Sequence, residues 1–443
     1  MCSTQVFSKR TKLVASSLLL LVFSAVLSTQ SGVVLAQTKL EAKTIKGGTQ
    51  YAEPLKIAVI DLAPKDSGYA KRITQVIKDD LSYSLYFHVA GINSSVLATL
   101  GNDLHNMNGW QQLGVQYLLE GSAQTDGENL TAEIKLSDVS GRSVIKTSKW
   151  EMEAEAYRTL AHIISDETVL TLTGQKGIFL TKIAYVRWEA GNKEIYVCDY
   201  DGHNPRPVTD DRSINVSPAW SPDGSKLVYT SYKKGNPDLW VSEVSTNQSN
   251  LFASYKGLNV NPAWSPDGKY VAATLSKDGN SEIYLLTAEG QIVRRLTNTR
   301  AIDCSPTWSP DGKQIAFASD RPGYPQIYVM DTEGNNLRRL TYTGKISDSP
   351  CWSPQGDKIA FALREKRKLD ICTIDVTGEN LTRLTREGSN ENPDWSPDGL
   401  HIVFCSNRTG KYEIYTMHWD GSSETKITTG ETVSYNPSWS PGF

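Results

Sequence analysis

The sequence predicts a multidomain chain, a small N-terminal α/β domain followed by a six-bladed all-β propeller closed by the C-terminal strand. Three observations carry this. Trp220, Trp264, Trp308, Trp352, Trp395 and Trp439 recur at intervals of 44, 44, 44, 43 and 44 residues, each opening Trp-Ser-Pro. Short apolar runs repeat in phase between them. The stretch 52–174 breaks the repeat and alternates strand and helix patterns instead. A period of about 40–50 residues built from short strands marks propeller blades.

Each unit reads as four strands, a to d. In the unit beginning at Asn261, strand a surrounds Trp264 and Ser265-Pro-Asp-Gly forms a turn, since proline pre-sets the second turn position and glycine suits the last. Strand b covers Lys269–Thr274, strand c Glu282–Thr287 and strand d Val293–Thr297. Strand b recurs as Ile183-Ala-Tyr-Val, Leu227-Val-Tyr, Ile315-Ala-Phe, Ile359-Ala-Phe and Ile402-Val-Phe. Strand c recurs from Glu194-Ile-Tyr to Glu413-Ile-Tyr. The phase is offset: the first b–c–d set has no Trp strand before it, and Trp439-Ser-Pro has no b–c–d set after it. A ring in which the last strand completes the first blade leaves no open sheet edge at the seam. The six tryptophans are expected to fill space between blades. The aspartates of Ser-Pro-Asp-Gly are expected to bond their own backbone rather than a metal; Gln355 and Gly442 break that pattern.

Ahead of the ring, Leu55-Lys-Ile-Ala-Val-Ile reads as a buried strand, and Tyr69, Ile73, Val76, Ile77 and Leu81 stripe a helix over 67–84. Phe87-His-Val is a strand. A short helix at Trp110 leads into a strand over 116–122. Leu130–Asp138 and Ser143–Met152 form a hairpin around Ser140-Gly141. A helix from Tyr157 ends near Gly174. The order β-α-β-α-β-β-β-α gives a mixed sheet. Gly174–Gly177 is expected to be a hinge, which sets the boundaries at 52–174 for the α/β domain and 175–443 for the propeller.

The N-terminus carries Lys9, Arg10 and Lys12, an apolar run from Leu13 to Leu27, and Val34-Leu35-Ala36 before Gln37. This predicts a cleaved secretory signal peptide over 1–36 rather than a membrane span, for which the run is too short. A polar tail over 37–51 follows. The formal net charge of −3 has both signs mixed, which argues against a nucleic-acid partner. Cys198, Cys372 and Cys405 read as core residues. Cys304 and Cys351 lie on neighbouring strands a, and whether they pair is left open by the spacing.

No catalytic constellation is found. There is no Gly-x-Ser-x-Gly elbow, no His-Glu-x-x-His, no Cys-x-x-Cys and no phosphate loop. No metal site and no cofactor are expected, and the chain reads as a non-enzyme. The six histidines are scattered in sequence, and Arg364-Glu-Lys-Arg-Lys368 reads as a solvated hairpin tip, with an acidic partner as the other reading. The small polar residues Ser217, Asn261, Ser305, Ser349, Asn392 and Asn436, each just before a proline, should ring the propeller channel.

The junction Ser165-Asp-Glu…Leu172-Thr-Gly-Gln-Lys-Gly…Lys182-Ile-Ala-Tyr-Val, with the domain order and the six Trp-Ser-Pro units, resembles the TolB family of the Tol–Pal envelope system. The resemblance implies a periplasmic protein that keeps the outer membrane tied to peptidoglycan, notably during cell division. It implies a Pal-like lipoprotein at the channel mouth, contacted by Leu258, Asn261, Cys304 and Ser305, and a TolA-like inner-membrane protein contacted by the tail. Leu258 and Cys304 stand where the family carries polar residues. Two other readings compete. One is the propeller gate of a serine peptidase, which lacks its hydrolase domain here. The other is an exported sensor that takes a small ligand or sugar in its channel.

Overall fold

The computed structural model describes residues 53–64, 67–189, 191–430 and 432–442. The signal peptide expected over 1–36 and the tail expected over 37–51 lie outside the described residues.

The α/β domain runs β1 (Leu55–Val59), α1 (Gly68–Tyr83), β2 (Phe87–Val89), α2 (Ser94–Thr99), α3 (Met107–Gln112), β3 (Tyr117–Thr125), β4 (Asn129–Asp138), β5 (Ser143–Glu153) and α4 (Tyr157–Thr173). The sheet order is β2-β1-β3-β4-β5, with β1 parallel to both neighbours and β3-β4-β5 antiparallel. Ile57, Ala58 and Val59 of β1 are apolar and buried because both faces of the strand are covered there. Ile57 and Val59 pack with α1 and α4, while Ala58 packs with Leu100 and Trp110 on the other side. α1 starts at Ser67, whose hydroxyl accepts from Ala70 N at 3.3 Å, and buries Ala70, Ile73, Val76, Ile77 and Leu81 at helical spacing. Helix α2 adds an element to the expected order. Its start is signalled by Asn93, whose side chain accepts from Ser95 N and Val96 N.

The propeller has six four-stranded sheets. In blades two to six, strand a is Asn215–Trp220, Asn259–Trp264, Asp303–Trp308, Ile346–Trp352 and Asn390–Trp395. In blade one, strand a is Val433–Trp439, paired antiparallel with strand b, Lys182–Glu189, with Trp439 opposite Ile183. The ring is thus closed between residues far apart in sequence. Strand d is only two residues long in four blades, at Arg206–Pro207, Arg338–Arg339, Thr382–Arg383 and Thr425–Lys426. It is held there by a threonine just past the strand: Thr209, Thr341, Thr385 and Thr428 accept from the backbone N–H of Ile195, Ile327, Ile371 and Ile414 at 2.8–3.0 Å.

Each Trp packs between its own blade and the preceding one. Trp308 lies among Ala272, Ile283, Leu285, Ile315 and Phe317, and its indole N–H donates to Ala263 O at 3.0 Å. Trp220 and Trp395 donate likewise to Ser438 O and Cys351 O. Trp352 and Trp439 are as buried, and Trp264 is half-buried against Phe252. The Asp of the following turn bonds its own backbone: Lys269 N and Lys313 N donate to Asp267 and Asp311 at 3.1 Å. Where Gln355 replaces Asp, its amide instead donates to Asp398 O in the next blade at 2.7 Å. Cys198, Cys304, Cys351, Cys372 and Cys405 are all free thiols.

The two domains share one apolar core. Ile57, Leu81, Leu160 and Phe179 belong to the same cluster as Ile183, Val403, Ile414 and Trp439. The linker 174–177, expected to act as a hinge, is pinned on its far side. Asp166 of α4 accepts from Phe179 N at 3.0 Å and Leu180 N at 3.3 Å, and a Cβ at Gly177 would lie 1.9 Å from that carboxylate. Burial, aided by nearby Asp80, pushes the Asp166 carboxyl up to about 6 despite those bonds.

Trp439→Ala should destabilise the protein by about 3–5 kcal/mol in urea denaturation, with both domains losing structure in one transition. A loss below about 1 kcal/mol would show that this tryptophan does not hold the seam. Because Asp166 keeps its proton better when folded, its stabilising contribution is complete below the carboxylate's ordinary range and is lost as pH rises to about 6. The stability of the wild type relative to Asp166→Asn should therefore fall as pH is raised from about 4 to about 6. Denaturation curves across that range check it.

Candidate functional site

Strand a of every blade carries a bulge in which two residues oppose one on strand b. Ser217-Pro218 face Tyr229, and Ser305-Pro306 face Phe317. Asn261, Ser349, Asn392 and Asn436, each followed by proline, face Ala273, Phe361, Phe404 and Tyr185. The first residue of each pair has φ between 48° and 54°. This left-handed region is tolerated by Asn but is unfavourable for Ser, and the residue before a proline is pushed towards extended backbone. Three of the six sites carry Ser, so the ring holds strain of order 1–3 kcal/mol at such positions. The prolines are buried and mostly backed by fully buried aromatic rings, which fix the bulge.

The bulges bring all six residues to one channel, lined by Ser217, Asn261, Ser305, Ser349, Asn392 and Asn436 with their prolines. Side chains of adjacent blades meet there: Asn392 Nδ2 donates to Ser349 Oγ at 3.2 Å and Asn261 Nδ2 to Ser217 Oγ at 3.5 Å. Asp394 also lines the channel, where Ala219, Ala263, Thr307, Cys351 and Ser438 occupy the matching positions. It accepts from the Cys351 thiol and from Trp439 N, both at 2.8 Å, and burial pushes its carboxyl above the usual range. The channel encloses about 170 Å³. That is below the roughly 300–1,000 Å³ typical of small-molecule sites, so the lining suits a contact surface better than a ligand pocket.

Strand direction fixes what each end of the ring carries. The a–b and c–d turns share one end, and the b–c turns and d–a connections share the other. The α/β domain sits on the first end. Tyr83 stacks on His401 with ring centroids 4.2 Å apart, Tyr200 O–H donates to Asp80 at 2.6 Å, and Arg158 pairs with Asp201. The second end is studded with apolar side chains. Ile214, Tyr232, Leu258, Ile302, Tyr324 and Tyr342 are 37–72 % exposed there, all on b–c or d–a connections. Beside them the hairpin Glu365–Lys368, with Arg383 and Arg386, borders a cleft of about 620 Å³. Arg383 is paired with Asp370 and Glu365. The hairpin cations Lys366, Arg367 and Lys368 add positive charge to this end.

Leu258 lies on this open rim, in the connection before Asn261. Cys304 is half-buried beside Ser305 and packs against the cluster of Trp352 and Phe361, and burial pushes its thiol up to about 12. The rim tyrosines and the interdomain histidines escaped the sequence reading. Tyr324 follows Arg-Pro-Gly in a turn, where an exposed aromatic needs a reason, so that signal was available. His162 and His401 are distant in sequence from their partners, and no local pattern marks them.

A closed propeller that carries an accessory domain on one end and bares a polar channel with an apolar rim on the other belongs to the class of propeller scaffolds. The family within that class follows from the sequence comparisons. Residues 169–442 match the family model of the TolB beta propeller domain, and residues 44–145 match that of the TolB amino-terminal domain. The chain belongs to the TolB family. It is similar to the "Tol-Pal system protein TolB" of Geobacter sulfurreducens, 39% identical over 163 residues, which is 36% of this chain and 37% of that protein. It is similar to the protein of the same name in Alkalilimnicola ehrlichii, 34% identical over 181 residues, covering 40% and 42%. The matched stretches thus span well under half the length of these curated relatives. The crystal structure of TolB from Acinetobacter baumannii superposes with a TM-score of 0.76 at 28% identity, over 88% of this chain and 97% of that one.

The strain at the bulges is measurable. Ser305→Gly should leave stability unchanged or raise it by up to about 1 kcal/mol, because glycine adopts positive φ freely. Ser305→Val should cost about 1–3 kcal/mol. Equal denaturation midpoints for the two variants would show that the ring tolerates its backbone without strain.

Proposed function

We propose that this chain is a non-enzymatic periplasmic binding platform of a Tol–Pal system. It links a Pal-like outer-membrane lipoprotein to inner-membrane Tol components and so supports outer-membrane integrity and constriction during cell division. Family membership and the names of its relatives support the system. The observation that carries the binding mode is the bare end of the ring, where exposed apolar side chains surround a strained polar channel. Apolar patches with polar surroundings on a soluble fold mark protein interfaces, and strain at fixed positions accompanies function. The partner sits on this rim and reaches Asn261 and Ser305 from Leu258. The tail over 37–51 is the segment proposed to meet a TolA-like protein.

Titration calorimetry of the chain from Gln37 onward, against the soluble domain of the same organism's Pal-like lipoprotein, tests this. One-to-one binding is expected. Tyr324→Ala and Ser305→Trp should each weaken it by about tenfold or more, as rim anchors and a blocked mouth would. Raising the salt concentration should slow association, given the Lys366–Lys368 hairpin. No binding, or binding indifferent to both variants, would overturn the proposed face.

A further inference from the structure

The interface between the domains holds a group of polar side chains that the proposed function does not use. His162 of α4 is 3 % exposed, and its Nδ1 donates to Asp80 Oδ2 at 2.9 Å. Its Nε2 is buried and has no hydrogen-bond partner among the described residues. Asp199, the last residue of strand c of blade one, and Asp201, in the c–d turn that follows, complete a cluster with His162 whose candidate ligand atoms all lie within 4.8 Å of one another. We propose that His162, Asp199 and Asp201 form a divalent-cation site of the zinc class, which fastens the α/β domain to the propeller.

The chemistry of each group fits this role. Asp80 accepts from Nδ1, which fixes the imidazole tautomer and leaves the Nε2 lone pair free. A carboxylate behind a histidine is the usual support of a metal-binding imidazole. Asp80 is held in turn by Tyr200 O–H at 2.6 Å. An unsatisfied buried nitrogen costs about 1–3 kcal/mol, and an ion at this position would remove that cost. The two carboxylates have other partners: Lys182 and Asn204 on Asp199, Arg158 and His203 on Asp201. Each carboxylate oxygen has two lone pairs, so these contacts leave acceptor capacity. One imidazole with two carboxylates suits zinc, which takes His and Asp ligands at about 2.0–2.2 Å. Calcium and magnesium prefer all-oxygen sets. Closing onto an ion needs inward movements of about 1 Å, within the reach of carboxylate rotation.

The test uses the chain from Gln37 onward, stripped with a chelator and then titrated with zinc alone, followed by calorimetry and thermal melting. One zinc per chain is expected, with a rise in Tm that magnesium does not reproduce. His162→Gln and Asp201→Asn should each lower affinity by more than about 100-fold, and Asp80→Asn, which only supports the imidazole, by about 10–100-fold. His105→Gln, a change at the surface histidine paired with Glu120, should leave affinity unchanged. Asp201 is partly exposed, so Asp201→Asn keeps the test open should His162→Gln fail to fold. Cobalt substituted for zinc should give a visible absorption band that is lost in Asp201→Asn. No zinc-dependent rise in Tm, or zinc binding that survives both ligand variants, would overturn the site and leave His162 as a buried partner of Asp80 alone.

Discussion

The antiparallel pairing of Val433–Trp439 with Lys182–Glu189 is the constraint on which the rest of the structure depends. A propeller is a sheet stack that must meet itself, and an unpaired edge at the meeting point is a liability. Here the seam is also where the accessory domain enters. Helix α4 ends at Gly174, and the linker runs directly into strand b of blade one. Trp439 therefore packs into a cluster that already contains Leu160 and Phe179, and its indole N–H donates to Thr181 Oγ1 at 2.9 Å. Closing the ring and docking the α/β domain are one packing event rather than two.

Closure also sets the channel. Six strands a at equal spacing, each bent at the same bulge, aim the same backbone position at the axis. The left-handed residue is what lets a strand turn its Ser or Asn inward while the next residue, proline, stays buried. Regular strands would alternate faces and leave the lining to chance. The strain is offset by the burial of proline against an aromatic ring from strand b, such as Phe317 or Phe361, each worth a few kcal/mol. Polar lining and apolar backing are thus two sides of one structural device, repeated around the ring.

Much of this was legible in the sequence because a repeat multiplies weak signals. A single Trp-Ser-Pro is ambiguous, but six at a constant period fix blade number, strand order and the offset that demands closure. The pre-proline Ser and Asn residues were legible as a ring because their phase is identical in every unit. Three things were not. Strand d shrinks to two residues in four blades, where a threonine side chain just past it bonds the neighbouring strand c. The linker reads as a hinge from its glycines, yet Gly177 is there because Asp166 leaves no room for a Cβ. The pairings His162–Asp80 and His401–Tyr83 join residues 82 and 318 positions apart, which no local periodicity reveals.

The two ends of the ring are built on opposite electrostatic principles, and that contrast orders the function. The end under the α/β domain buries ionisable groups: Asp80, Asp199 and Asp398 lie with His162 and His401 in or near full burial. Buried charges tolerate only one geometry, because removing or displacing a partner leaves the other uncompensated. Such an interface holds one arrangement of the domains. The far end does the reverse. It exposes tyrosine, isoleucine and leucine on short turns whose backbones are set by the blades, with lysine and arginine between them. Those side chains gain from being covered, and rigid turns present them with little ordering cost. A rigid mount on one end therefore makes the other end a preformed surface.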